Sequence, residues 1–184
     1  MKSKMKMSTK SYVEIKVPIT YDKPWFQELR SVLKDIPVLW QKTYYHITIA
    51  FIDYTHNISI IKNIIESNLS NVSAINITFD KLDVFPTNSG LQIVHLTAEN
   101  VPTELQNIVD KIRRDVFATE SQIQSNFRLH VTLGRISEPE IDIDDIGFLI
   151  DDIDFQPFSL ILNEIEYRLY KGRSLYKKTL GRIE

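Results

Sequence analysis

Residues 11 to 19, SYVEIKVPI, set Tyr12, Glu14 and Lys16 against Val13, Ile15 and Val17 in strict alternation. A period of two predicts a strand with one core face and one polar face. The spacing then changes to threes and fours through Phe26, Leu29, Val32, Leu33 and Ile36, which predicts a helix with a single buried stripe. Asp22 is placed to cap that helix, Pro24 falls in its first turn and Pro37 ends it. Residues 44 to 52, YYHITIAFI, are β-branched and aromatic and predict a second strand. Asn57 caps a helix carrying Ile60, Ile61, Ile64 and Ile65 on one face, with His56 an exposed residue ahead of it. Ala74 to Val84 reads as a strand, PTNSG at 86–90 as a turn and Leu91 to Ala98 as the hairpin partner. Pro102 opens a helix with apolar residues at Leu105, Ile108, Val109, Ile112 and Val116, and Phe127 to Ile136 is a strand. A short acidic helix over about 140–150 and strands over about 157–169 and 174–182, turning around Gly172, complete the chain.

Laid side by side, strand 12–18, helix 22–36 and strand 44–52 match strand 91–97, helix 102–118 and strand 127–136 in order and approximate length. The repeat makes His46 and His130 equivalent. Two similar β-α-β halves commonly place a site where they meet, so two histidines far apart in sequence are expected to converge. With 184 residues, 43% of them apolar, the chain can bury one core but not two independent ones. Residues 10–184 are read as one domain, and the basic segment 1–9, which no apolar run follows, as a frayed arm.

The chemistry rests on two strands. Residues i and i+2 of a strand share a face, so His46 with Thr48, and His130 with Thr132, each present an imidazole beside a hydroxyl. Placed together, the hydroxyls can donate to the non-bridging oxygens of one phosphodiester while the imidazoles serve as general base and general acid at opposite ends of an in-line displacement. A single H-x-T is a weak motif, and an isolated strand histidine is more often a hydrogen-bonded core or surface residue. Four histidines would yield well under one such motif by chance, whereas the chain has three, at His46, His95 and His130. In the repeat, His95 to Thr97 aligns with Ile15 to Val17, so His95 is read as a decoy with a structural or flanking role.

HITIAF at 46–51 and HVTLGR at 130–135, 84 residues apart, resemble the paired signatures of the two-histidine (2H) phosphoesterases. The closest likeness is to RNA 2′,3′-cyclic phosphodiesterases, historically called 2′-5′ RNA ligases. The resemblance implies an α+β, bilobal, pseudo-two-fold fold of two mainly antiparallel sheets flanked by helices around a central cleft. It also implies that Phe51 stacks on a base and Arg135 holds the nucleotide phosphate, although simple alternation puts residues i and i+5 on opposite faces. Leu129 stands where the cyclic phosphodiesterases often have proline, and EYRLYKGRSLYKK matches their closing hairpin only loosely. Tyr176, with Lys171 and Arg173, is that hairpin's candidate for the cleft, against the commoner reading of such residues as solvated surface.

Charge and composition narrow the partners. A net charge of −2 gives no general grip on long duplex nucleic acid, and leaves a small nucleotide or an RNA end as substrate. The absence of cysteine excludes thiolate chemistry and fits a reducing compartment, so a cytoplasmic protein is expected, monomeric and without a membrane span. No cofactor or metal is expected, since no carboxylate or third histidine stands at ligand spacing beside either H-x-T. EIDIDDIGFLIDDID at 140–154 fails as a calcium loop: from Asp142 and Gly147 as positions one and six, Ile146 and Ile153 fall where oxygen ligands are required. It is read as a solvated acidic face partnered by the basic terminal hairpin. The function expected is metal-independent hydrolysis of a 2′,3′-cyclic phosphate. The alternatives are cleavage of 2′-5′ oligoadenylate or a cyclic oligonucleotide, nucleotide binding without turnover, and a two-histidine metal protein.

Overall fold

Val13, Ile15 and Val17 are buried, as are Phe26 and Leu29 of the first helix and Ile47 of the second predicted strand, so the apolar faces converge on one core. The computed structural model describes residues 9–55, 57–120, 126–138 and 140–182, with backbone alone for 9, 54, 55, 119 and 120. Residues 1–8 of the expected arm and His56 lie outside the described residues, and Thr9 already belongs to the first strand. In chain order the elements are β1 (Thr9–Val17), α1 (Pro24–Val32), β2 (Val38–Trp40), β3 (Tyr45–Thr55), α2 (Ile58–Asn68), β4 (Ile75–Phe79) and β5 (Lys81–Pro86). They continue with β6 (Gln92–Thr97), α3 (Thr103–Glu120), β7 (Val131–Ile136), α4 (Ile143–Asp151), β8 (Phe158–Leu162), β9 (Glu164–Leu169) and β10 (Ser174–Thr179).

The main sheet runs β10-β9-β1-β3-β7-β6-β5, with β2 also paired to β7, and β4 and β8 form a separate two-stranded sheet. All pairs between these strands are antiparallel. The halves expected from the repeat are both present: β1-α1-β3 on one side of the β3–β7 junction and β6-α3-β7 on the other. The α+β class with antiparallel sheets and flanking helices is therefore the observed one. What the pattern did not show is that the two halves join edge to edge into one sheet, through the single pair Ile47–Val131.

Several predicted boundaries move. Asp22 does not cap α1; Pro24 takes the first helical position, which makes Lys23 the N-cap, and no side chain caps the end. Asn57 does stand at the N-cap of α2. The predicted strand Ala74 to Val84 is two strands in different sheets, divided at Asp80, whose carboxylate accepts from the Glu99 amide at 2.9 Å. The strand predicted over 157–169 is likewise divided, at Asn163. β2 was not predicted, and β7 begins only at Val131, leaving His130 one residue ahead of it. The acidic helix forms with Asp142 as its cap, accepting from the Asp144 amide at 3.0 Å. It packs on β5 and α1; Lys177 of the terminal hairpin instead faces Glu166 at 4.0 Å.

β2 closes over Gly134 so tightly that a Cβ there would collide with Val38 Cγ1 and stand 3.1 Å from the Trp40 ring. Gly134→Ala should therefore destabilise the fold by about 1–3 kcal/mol through overpacking, read as a lower denaturant midpoint at unchanged slope.

Candidate active site

With Ile47 opposite Val131, antiparallel pairing sets Thr48 across from His130 and His46 across from Thr132. Ile47 and Val131 are fully buried, so these four side chains share the opposite face. The two H-x-T segments thus make one square with like residues on its diagonals.

A bulge in each half brings Phe51 and Arg135 to the same face. The pairs Glu14–Thr48 and Val13–Ala50 leave Ile49 without a partner on β1, and His95–Thr132 and Val94–Gly134 leave Leu133 without one on β6. Each extra residue shifts the alternation by one. Ile49 and Ala50 are both buried, as are Leu133 and Gly134, and Phe51 and Arg135 return to the cleft. Arg113 of α3 donates to the carbonyl of the bulged Ile49 at 3.1 Å. These bulges are what simple alternation missed.

The same registers correct the reading of His95. Ile15 pairs with Ile47, and Leu96 with Val131, so the residue of β1 equivalent to His95 is Glu14 and not Ile15. A slip of one residue turns a side chain to the other face. His95 consequently lies beside the square: its ring is perpendicular to that of His130 with centroids 6.0 Å apart, and Phe85 stands edge-on to both at 4.9 and 5.1 Å. Thr97 is structural, its hydroxyl donating to the Leu129 carbonyl at 2.6 Å and so holding the segment that leads to His130.

Two cavities flank the square and meet at Thr48 and Phe51. On the His46 side a cavity of about 520 Å³ is bounded by Tyr12, Tyr44, Arg135, Arg168 and Lys171. On the His130 side one of about 340 Å³ is bounded by Phe85, Asn88, Arg113, Phe127 and Arg128. Lys171 thus lines the cleft, while Tyr176 does not. It lies against α2, with the Lys62 ammonium 5.8 Å from its ring, because the β10 register turns it away from the turn at 171–172. Tyr176→Ala should leave phosphodiester turnover unchanged and lower the melting temperature, as kinetics and thermal unfolding on one sample would show.

Arg168 was missed by sequence reading. Its guanidinium donates to the Tyr44 hydroxyl and, at 2.9 Å, to the Gly172 carbonyl, and so ties β9 to the His46 wall. Glu14 was placed on a polar strand face, yet it is fully buried. Its Oε2 is 3.7 Å from His46 Nε2 and its Oε1 is 3.9 Å from Arg168.

Burial holds both site imidazoles below their ordinary range. His46 is pushed down to about 4, with Arg135, His130 and Arg168 adding to the effect. His130 is also lowered by burial, against the opposing pull of the Arg128 carbonyl at 3.0 Å from its Nδ1. That bond directs the other nitrogen, Nε2, to the cleft. Among the described residues no group of three or more His, Cys, Asp or Glu side chains could hold a metal ion, and no helix is long and apolar enough to cross a membrane.

Comparison with known structures finds the same architecture. Escherichia coli LigT with NADP+ bound aligns over 95% of this chain and 99% of its own at 14% identity and a TM-score of 0.65. TT0787 of Thermus thermophilus aligns over 95% and 100% at 13% identity and a TM-score of 0.62. Usb1 of Kluyveromyces marxianus aligns over 94% and 99% at 11% identity and a TM-score of 0.65. At these identities the likeness shows the fold alone. No curated protein matches the sequence. The family model of the 2′-5′ RNA ligase superfamily does match, over residues 21–167, and the chain therefore belongs to this superfamily of 2H phosphoesterases acting on nucleotide phosphodiesters.

Proposed function

We propose that this protein is a metal-independent phosphodiesterase that opens a 2′,3′-cyclic phosphate at an RNA end or on a small nucleotide. The observation that carries the reading is the square of His46, Thr48, His130 and Thr132, fixed by the Ile47–Val131 pair. A phosphate centred on it meets a hydroxyl and an imidazole from each half. One imidazole takes a proton from the attacking water and the other gives one to the leaving oxygen, while the threonine hydroxyls donate to the non-bridging oxygens. Arg135, which donates to Gln41 Oε1 at 3.2 Å and lowers the proton affinity of both imidazoles, adds a positive charge beside the phosphate. Phe51, at the meeting point of the two cavities, offers a face for a base.

A second reading is favoured by the two-sided cleft. Each cavity carries aromatic rings and arginine, an arrangement suited to a nucleoside on either side of the scissile phosphate. A 2′-5′ oligoadenylate or a cyclic oligonucleotide would fill both, whereas a cyclic mononucleotide fills one. The test is hydrolysis of a panel of 2′,3′-cyclic nucleotides, 2′-5′ oligoadenylate and cyclic dinucleotides in excess chelator. Turnover of the cyclic mononucleotides is the expected result; turnover confined to the two-nucleoside substrates selects the second reading. Tight nucleotide binding with no turnover of any substrate would leave a binding module, and activity lost to chelator would sink the metal-free mechanism.

A further inference from the structure

The square is symmetric in its four residues, and the positions flanking it are not. On β1, Glu14 is paired with Thr48; at the equivalent place on β6, His95 is paired with Thr132. One half has a carboxyl against its catalytic imidazole, at 3.7 Å from His46 Nε2. The other half has a second imidazole, 6.0 Å centroid to centroid from His130. Glu14 is fully buried, and neither of its oxygens meets a donor in good hydrogen-bond geometry among the described residues. A buried carboxyl held by the Tyr44 hydroxyl and by these longer contacts to His46 and Arg168 costs stability to keep in the fold.

Resting on the phosphodiesterase reading, we infer that Glu14 is a positioning residue that shares a proton with His46, making His46 the general acid and leaving His130, beside His95, as the general base. A carboxyl next to an imidazole favours its protonated form, and of the two site imidazoles only His46 has one among the described residues. In the displacement the water oxygen bonds to phosphorus and its proton passes to His130 Nε2. The bond from phosphorus to the leaving oxygen breaks, and that oxygen takes a proton from His46, which the pair with Glu14 holds. After product release the proton on His130 returns to the pair through solvent. For a 2′,3′-cyclic phosphate the product is one nucleotide that carries the phosphate monoester on one ribose oxygen and a free hydroxyl on the other, with no other reactant required.

The groups around Glu14 and His46 bear on the pH dependence. From β1 come Tyr12 and Lys16, from the residue before β3 comes Tyr44, from β7 Arg135, from the residue ahead of it His130, and from β9 Glu166 and Arg168. Burial raises the Glu14 carboxyl to about 7, against the pull of the Tyr44 hydroxyl, Arg168 and Lys16 and with the help of Glu166. With His46 itself pushed down to about 4, the pair carries a proton at neutral pH that His46 alone would lack.

Three measurements on the whole chain decide the matter. In the empty protein, nuclear magnetic resonance of the His46 imidazole should sense a titration near pH 7 that is lost in Glu14→Gln while His130 titrates as before; no such step in the parent overturns the inference, whatever the activity. In kinetics, Glu14→Gln should lose about 10²-fold on a 2′,3′-cyclic nucleotide at neutral pH, with the falling limb of the pH profile moved to lower pH. It should lose little on a nucleoside p-nitrophenyl phosphodiester, whose leaving group needs no proton, and Glu14→Asp should restore much of the limb. Equal loss on both substrates with the limb unmoved would overturn the inference and leave the phosphodiesterase reading standing; no turnover by the parent would count against that reading alone. The stability sign follows too. A carboxyl raised in the folded state favours folding below its ordinary range and loses that stability as pH rises through about 7, so Glu14→Gln should melt higher than the parent above pH 7 and not at pH 4.

Discussion

Alanine at His46 or at His130 should each reduce turnover of the phosphodiester about 10²–10⁴-fold, the range for loss of one proton-transfer group. The double variant should lose little beyond either single one, because groups that act on the same displacement are strongly non-additive. The reason is geometric: with Ile47 opposite Val131, the two imidazoles occupy one diagonal of a single phosphate-sized square, and removing either leaves the in-line path without its proton donor or acceptor. The fold should survive, since both rings face the cleft and the core side chains beside them, Ile47 and Val131, remain in place. Steady-state kinetics of the three variants, with circular dichroism as the control, give the result; independent, multiplicative losses would mean the two histidines do not share a substrate.

Thr48→Val is expected to have the next largest effect, about 10²–10³-fold in kcat, the cost of removing one preorganised donor to developing charge. Valine keeps the shape of the side chain and deletes the hydroxyl, so the loss reports hydrogen bonding more than packing. Thr48 bounds both cavities, which places its hydroxyl at the point where a phosphate between two binding sites must sit. The loss should appear in kcat with KM little changed, because the bond strengthens as charge gathers on the phosphoryl oxygens. A rise in KM alone would make Thr48 a ground-state contact.

The repeat, the two histidines and the two threonines were legible because alternation and the i, i+2 rule are local. The strands predicted over 12–18 and 91–97 are present as β1 and β6, in equivalent places on either side of the β3–β7 junction. Phe51 and Arg135 were legible only through family resemblance, since each depends on a bulge, at Ile49 and Leu133, that no apolar pattern announces. The flanking place expected for His95 is where it lies, but the alignment of the halves was one residue out, with Glu14 and not Ile15 as its counterpart, a slip that exchanges one face of a strand for the other. The division at Asp80 did leave a trace: the buried residues run Ile75, Ile77, Phe79 and then Leu82, a change of phase that marks where the chain leaves one sheet for another. Glu14 and Arg168 were illegible as site residues because their burial arises from β1, β3 and β9 meeting, strands separated by most of the chain.

The central claim is that the four side chains form one phosphate site, and the direct test is a crystal structure of the protein with a nonhydrolysable phosphodiester analogue. The predicted result places the phosphorus over the Ile47–Val131 pair, with the Thr48 and Thr132 hydroxyls on its non-bridging oxygens and an imidazole at each bridging oxygen. A phosphate seated instead against Arg168 and Lys171, out of reach of one of the two histidines, would contradict it.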